Sequence, residues 1–312
     1  MLGFGEQTAA LFYFLKGFYY FAKVRTIPVQ SIIVKTYSDN LYNPAENGSF
    51  NQVVYFEANH ISTVVVDPNN NQVLQLTIFT AADTNFLNLS YDDLKSIEAL
   101  KADLAHKFKD RKVLISSANT TLVPESLLNV VETDAYYALN QKIMPQSQIL
   151  YCKMHVQQTA AIFNVRNELL KLIRFNMPMV DVYHSSLLFI KAVEAQAFDN
   201  SASKLHLHLH SGYFELLNLD QQIKFYNTFT FETETEIVYY LLAAAEQLQI
   251  AHGCDVVLYG NSTHITELNS LLSKYVRSVQ YGIKPKSFTY PISFKQFGEH
   301  QFFIESAALL CE

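Results

Sequence analysis

The chain has 312 residues, of which 49% are hydrophobic and only 17% charged, with 19 Tyr, 23 Phe and no Trp. That balance excludes a disordered chain and is enough for two domains of ordinary size, each burying its own core. A net charge of −6 argues against general nucleic-acid binding, since neutralising phosphates requires a basic footprint.

The first apolar run, Ala9 to Ala22, is interrupted by Lys16 and falls short of the roughly 18 residues that cross a bilayer. It also lacks the basic start of a secretory signal, so the chain is expected to be cytoplasmic with no membrane span. An interfacial aromatic helix is the alternative for this run. Cys152, Cys254 and Cys311 are far apart without CxxC spacing, which fits reduced thiols in that compartment. Residues 1–49 read as an N-terminal extension outside the fold, ending in an aperiodic loop from Thr36 to Ser49 rich in Asn, Pro, Gly and Ser.

From Gln52 the pattern becomes regular. VVYFEANHISTVVVD holds two apolar runs around Ala58-Asn59-His60, and Pro68 to Asn71 turns the chain into QVLQLTIF, a three-stranded meander. Ser90 caps a helix over YDDLKSIEALKADLAHKF, with apolar residues at helical spacing from Leu94 to Phe108. KVLIS at 112–116 is a short strand with a wholly apolar centre, which points to parallel pairing in a mixed sheet. A hairpin (ILYCKMHV, TAAIFNV), a helix (RNELLKLIRF), a strand (MVDVY) and a connecting helix from His184 to Ala197, capped by Ser185 or Ser186, follow. Residues 198–203 mark the expected boundary between a first domain at 50–197 and a second at 198–312.

Strand alternation over 205–229, a helix over 234–249, the strand DVVLYG at 255–260 and a helix ITELNSLLSKYV then repeat the first plan. Two copies of strand-turn-strand-strand-helix indicate a duplicated α/β protein. Along LHLHLH, three imidazoles (His206, His208, His210) share one face and three leucines the other. His-x-His is a zinc spacing, with Glu215 across the hairpin as the nearest further ligand, but a polar face covered by a helix or water is the favoured reading and no metal is expected. His155 and His184 have no spaced partner.

TTLVPESLL at 120–128, YFELLNLDQQIKFYNTF at 213–229 with the YYLL of the next helix, and VVLYGN at 256–261 are similar to bacterial domain-of-unknown-function family 3822, uncharacterised proteins with an actin-like ATPase fold. The resemblance covers most of 50–312. It implies two ribonuclease-H-like domains around a cleft and carries no established activity.

Actin-like ATPases grip phosphates with an Asp-x-Gly hairpin in each domain, the glycine supplying positive φ and the aspartate orienting water or Mg²⁺. The matching positions here are Glu57-Ala58-Asn59, where Asn59 is expected to take the left-handed conformation, and His210-Ser211-Gly212. The adenosine turn expected after a buried strand reads Gly260-Asn261, with Ser262 and Thr263 beyond. The candidate nucleotide cleft is therefore Glu57, Ala58, Asn59, Ser211, Gly212, Gly260 and Asn261. Its glycines are partly kept and its carboxylates are displaced or replaced by imidazole, a poor Mg²⁺ ligand.

No Gly-x-Ser-x-Gly elbow, Walker loop or dinucleotide fingerprint occurs, and no catalytic residue is assigned. The leading expectation is a pseudo-ATPase: a non-catalytic binding or scaffold protein holding an unidentified protein partner, with no cofactor. A nucleotide-binding switch or slow ATPase using ATP is the alternative. A third reading is an RNA-associated accessory factor acting through Lys274, Arg277, Lys284 and Lys286, which are interleaved with tyrosines and phenylalanine.

Overall fold

The computed structural model describes residues 32–308 apart from 82, 155, 197–202, 251–252 and 262–263. The Ala9–Ala22 run, His155, Ser262, Thr263, Cys311 and all but the last residue of the expected 198–203 boundary lie outside the described residues.

The meander forms as its alternation requires. Strand β2 (Asn51–Phe56) pairs antiparallel with β3 (His60–Asp67), and β3 with β4 (Gln72–Ala81). The turn between β3 and β4 is held by Asp67, whose carboxylate accepts from the Asn69 amide at 2.9 Å, and by Asn71 at φ 50°. Strand β5 (Asp110–Ile115) runs parallel to β2 and to β9 (Asp181–His184), which is why its centre is wholly apolar. The helix expected between β4 and β5 is two: α1 (Tyr91–Lys95) and α2 (Glu98–Ala105), interrupted at Ser96 and Ile97. Ser90 caps α1, accepting from the Asp93 amide at 3.1 Å.

The edge of this sheet holds a strand that was absent from the sequence pattern. Residues Ile32–Ser38, placed by sequence in the N-terminal extension and partly in its loop, form β1 and pair antiparallel with β4 at the sheet edge. Its side chains are mostly exposed, so it carries no buried alternation to read. The first sheet thus has the order β1-β4-β3-β2-β5-β9.

Between β5 and β9 the chain builds a separate three-stranded sheet. It contains β6 (Thr120–Pro124), β8 (Thr159–Arg166) and β7 (Ser147–Met154), in the order β6-β8-β7, with a short helix α3 (Thr133–Ala138) before β7 and α4 (Asn167–Asn176) after β8. Helix α5 (Ser185–Ala195) follows β9. Its cap is His184, whose Nδ1 accepts from the Ser186 amide at 3.3 Å; neither Ser185 nor Ser186 serves as the expected cap.

The second half repeats the first. Strands β10 (Lys204–Leu209), β11 (Tyr213–Asp220) and β12 (Gln222–Thr230) form the meander, α6 (Glu234–Gln247) follows, and β13 (Asp255–Tyr259) returns parallel to β10. Helix α7 (Ile265–Leu272) and strand β14 (Ser278–Tyr281) complete the order β12-β11-β10-β13-β14, matching β4-β3-β2-β5-β9. No helix among the described residues is long and apolar enough to cross a membrane.

The alternation of β10 sorts its side chains between two environments. Leu205, Leu207 and Leu209 pack with Ile237 and Leu241 of α6 and with Leu268 and Leu272 of α7. The histidine face looks the other way, onto α5, where Phe189 stacks on His208 with ring centroids 5.2 Å apart. Phe189 is fully buried and also meets Tyr259 of β13 and Phe303 of the short C-terminal helix α8 (Phe303–Ala307). One apolar cluster consequently runs from the first sheet through α5 to Leu217, Leu219, Val257, Tyr259 and residues 302–304. The C-terminal segment, grouped by sequence with the second half, belongs by packing to this shared core.

Because Phe189 fills the junction, Phe189→Ala is expected to destabilise the protein by about 3–5 kcal/mol. Urea denaturation followed by circular dichroism would show a lower midpoint; an unchanged midpoint would mean that α5 does not carry the junction.

Candidate functional site

The turns after β2 and β10 face each other across a cleft of ≈ 370 Å³. Glu57, Asn59, Ser211, Gly212, Gly260 and Asn261 all line it, joined by His60, His208, His210 and Glu305; Ala58 faces a neighbouring cavity beside Ser116 and Tyr213. Six of the seven residues singled out by sequence therefore share one cavity. Glu305 was not legible, since it lies far from both hairpins in the chain, and His60 carried no signal beyond following Asn59.

The geometry differs from a phosphate cradle in one decisive way. The Glu57 carboxylate reaches across the cleft, accepts the Ser211 amide at 3.2 Å through Oε1, and lies 3.3 Å from His210 Nδ1. The protein's own carboxylate occupies the backbone donor of the second hairpin. Behind it, His210 Nε2 and His208 Nδ1 lie 3.0 and 3.1 Å from Glu215 Oε2. On the other side, His60 sits 3.6 Å from Glu57 and 3.8 Å from Glu305, and Ser62 Oγ donates to Glu305 at 2.8 Å. Tyr55 and Tyr226 donate to Glu57 and Glu215 at 3.1 and 2.7 Å. Three carboxylates and three imidazoles, all buried, form one interlocked network between the two halves.

Burial alone would neutralise these groups, and their neighbours reverse it. Desolvation opposes the His210 cation, but the charge of Glu57, then hydrogen bonds to Glu215 and Glu57, push it up to about 9. Desolvation would raise Glu57, yet the charge of His210 and its hydrogen bond, with His60 behind them, hold it well below the usual carboxylate range. Glu215 is held down likewise, against burial, by hydrogen bonds from His208 and His210. His208 moves the other way: burial and the His210 charge lower it.

The same contacts place Ser116 Oγ 3.3 Å from His210 Nδ1, with Glu215 on the far side of the ring. That is the order of a hydrolytic triad, but the charge of Glu57 favours the protonated imidazole, the form that cannot accept the serine proton. Ser116 is fully buried, with its hydroxyl engaged by Tyr213 and by Ser185.

The two glycines that a nucleotide site would use are both strained for other residues, in different ways. Gly212 has φ 77° with open space around it, whereas Gly260 has φ 123° and a Cβ there would lie 2.2 Å from the Leu209 carbonyl oxygen. The Gly260 turn also binds the C-terminal segment, since Gly260 N donates to His300 O at 3.1 Å and Asn261 Oδ1 accepts from Phe302 N at 2.7 Å. Asn59, by contrast, is not among the residues of positive φ, so the left-handed turn expected there does not form. Its side chain instead contacts His60 Nδ1 at 3.0 Å.

Of the basic C-terminal residues, Arg277 pairs with Asp255 while staying exposed, Lys284 is buried with its ammonium 5.3 Å from the Tyr290 ring, and Lys274 and Lys286 are exposed.

Gly260→Ala is expected to lower stability by well over about 1 kcal/mol, because a close backbone approach adds to the φ strain, while Gly212→Ala carries the φ strain alone, about 1 kcal/mol. Thermal denaturation of the two variants would test that order, and equal losses would contradict it. His184 gives a pH signature. It must stay bare at Nδ1 to cap α5, and burial lowers it to about 4. The unfolded chain takes up its proton near 6.5, so stability falls as pH drops from about 6.5 to about 4, by on the order of 3 kcal/mol. His184→Asn, which keeps a capping acceptor without the titration, should flatten this part of the stability–pH curve; an unchanged slope would remove His184 as its source.

Comparison with solved structures places the fold. A protein from Bacteroides thetaiotaomicron with an actin-like ATPase fold and unknown function aligns with a TM-score of 0.75 at 16% identity, covering 88% of this chain and 100% of that one. A chain of the PilM–PilN type IV pilus biogenesis complex aligns with a TM-score of 0.57 at 12% identity, covering 83% and 97%. The search of curated proteins found no match. The fold is thus that of the actin-like ATPases, as the sequence resemblance implied. The family model described as protein of unknown function (DUF3822) matches residues 42–279, and the chain belongs to that family.

Proposed function

We propose that this protein is a non-catalytic member of the actin-like fold, a binding or scaffold protein whose cleft is closed to nucleotide. One observation carries the reading: Glu57 already occupies the Ser211 amide and pairs with His210. A phosphate bound at that amide would sit within about 4 Å of a carboxylate, a repulsion of about 4 kcal/mol at an effective dielectric of about 20, and would have to displace that carboxylate from His210 to gain the imidazole's attraction. The cleft lining adds Glu232, Glu234 and Glu305 and, among the described residues, includes no lysine or arginine.

Partner binding accords with this fold in a similar structure, since one of the two aligned proteins comes from a type IV pilus biogenesis complex. The nucleotide-switch reading draws on Gly212, whose φ of 77° still suits a phosphate-binding turn. The RNA reading keeps three exposed cations of its four, one of which, Arg277, is already paired with Asp255.

Calorimetric titration of the folded protein with ATP and ADP, with and without Mg²⁺, is expected to give no saturable heat at millimolar ligand and no multiple-turnover hydrolysis. Saturable micromolar binding with turnover abolished by Gly212→Val would replace the scaffold reading with the ATPase one.

A further inference from the structure

The floor of the cleft has the composition and spacing of a metal site. Alternation along β10 puts His208 and His210 on one face, and the β10–β11 register sets His208 opposite Glu215. His208 Nδ1 and His210 Nε2 both converge on Glu215 Oε2, at 3.1 and 3.0 Å, and the three donor atoms lie within 4.8 Å of one another. Ligands held about 2.0–2.2 Å from a zinc ion are themselves about 3 Å apart when they subtend an angle near 95°. Two of the three donor pairs already have that spacing, and the third lies within 4.8 Å.

Each ligand is also oriented from behind, as metal-binding imidazoles and carboxylates commonly are. The second nitrogen of His210, Nδ1, faces Glu57 Oε1 and Ser116 Oγ, both at 3.3 Å. The second oxygen of Glu215, Oε1, accepts from Tyr226 at 2.7 Å, and the His208 ring is stacked on Phe189. His208 and His210 line the cleft, so the remaining coordination position faces it.

We infer that His208, His210 and Glu215 bind one divalent transition-metal ion of the zinc class at the cleft floor, with an open coordination position toward the cleft. Two imidazoles and one carboxylate suit zinc or its neighbours, whereas Mg²⁺ requires a largely oxygen shell. On binding, the proton on His210 Nε2 leaves for solvent while its Nδ1 proton stays with Glu57, and His208 gives up its Nδ1 proton and carries one on Nε2 instead, so that both metal-facing nitrogens are bare. This inference does not depend on whether the protein holds a partner, and it requires no catalysis.

The test uses the full chain stripped with a chelator and titrated with Zn²⁺ and with Co²⁺ against a chromophoric competitor. A crystal of the zinc-loaded protein then locates the ion by anomalous scattering. One equivalent bound at submicromolar dissociation constant is expected, with the anomalous peak between His208, His210 and Glu215. Glu215→Gln should abolish binding, while Tyr226→Phe, close to isosteric and so able to fold, should weaken it by about 10- to 100-fold. His264→Ala should leave it intact, because that residue belongs to the separate exposed group with Glu234 and Glu267 at the rim. Absence of binding at micromolar Zn²⁺, or an anomalous peak only at the Glu234–His264–Glu267 group, would overturn the assignment. If Glu215→Gln fails to fold, the wild-type anomalous peak decides alone.

Discussion

A carboxylate from one half of the molecule and an imidazole from the other meet at 3.3 Å with both groups removed from water, and the cleft is arranged around that pair. Taking two charges out of water costs several kcal/mol per ion, which mutual attraction offsets only when the remaining hydrogen-bonding positions are filled. Here they are filled by further members of the same network. Glu57 also receives Tyr55 and the Ser211 amide, and His210 passes its second nitrogen to Glu215, which receives Tyr226. Alternation of carboxylate and imidazole from Glu305 through His60, Glu57 and His210 to Glu215 is what makes so many buried ionisable groups compatible with a folded state. Loss of any single member would leave a buried charge without its partner, which is costlier than never having built the pair.

This network also explains how the halves are joined. Helix α5 lies between the sheets, and the histidine face of β10 is the surface it covers. A wholly apolar face there would pack against α5 equally well, but without a fixed position for the opposing β2–β3 turn. The ion pairs supply that position, because Glu57 has one geometry in which it can satisfy both Ser211 and His210.

The architecture was legible where a periodic pattern coincided with burial. The alternation of 205–229 and its echo at 52–79 reported two meanders correctly, and the apolar centre of β5 reported a parallel strand, because a strand buried on both faces of a mixed sheet commonly reads as a continuous apolar run. Strand β1 was not legible, since an edge strand with exposed side chains owes its existence to the unpaired ladder of β4 rather than to its own pattern. The break of the helix at Ser96 was hidden for a related reason: Leu94, Ile97 and Leu100 keep helical spacing and are all buried, although the backbone is interrupted between them. Of the site, residues adjacent to turn glycines were identifiable from local chemistry. Glu305 was not, because its role arises from the packing of α8 against α5, and no local feature of FIESA announces it.

What the cleft can hold follows from separating backbone from side chain. The backbone has kept much of what anion binding needs, with positive φ at Gly212 and Gly260 and an amide directed into the cavity. The side chains have reversed the sign, since the position that would orient magnesium near a phosphate carries a glutamate long enough to take the phosphate's place, and its counterpart is an imidazole that answers it. A fold fixes where charge can be presented, and the residues at a few turn positions decide which charge is welcome. With Glu57 seated on the Ser211 amide, an incoming anion meets a carboxylate before it meets a donor. A cation meets the reverse arrangement, two imidazole nitrogens and a carboxylate oxygen converging on one point. If the cleft is closed to nucleotide as proposed, shortening Glu57 would not by itself open it. Its removal would leave His210 facing Glu215 alone, and the backbone donor it freed would still open onto a cleft lined by Glu232, Glu234 and Glu305.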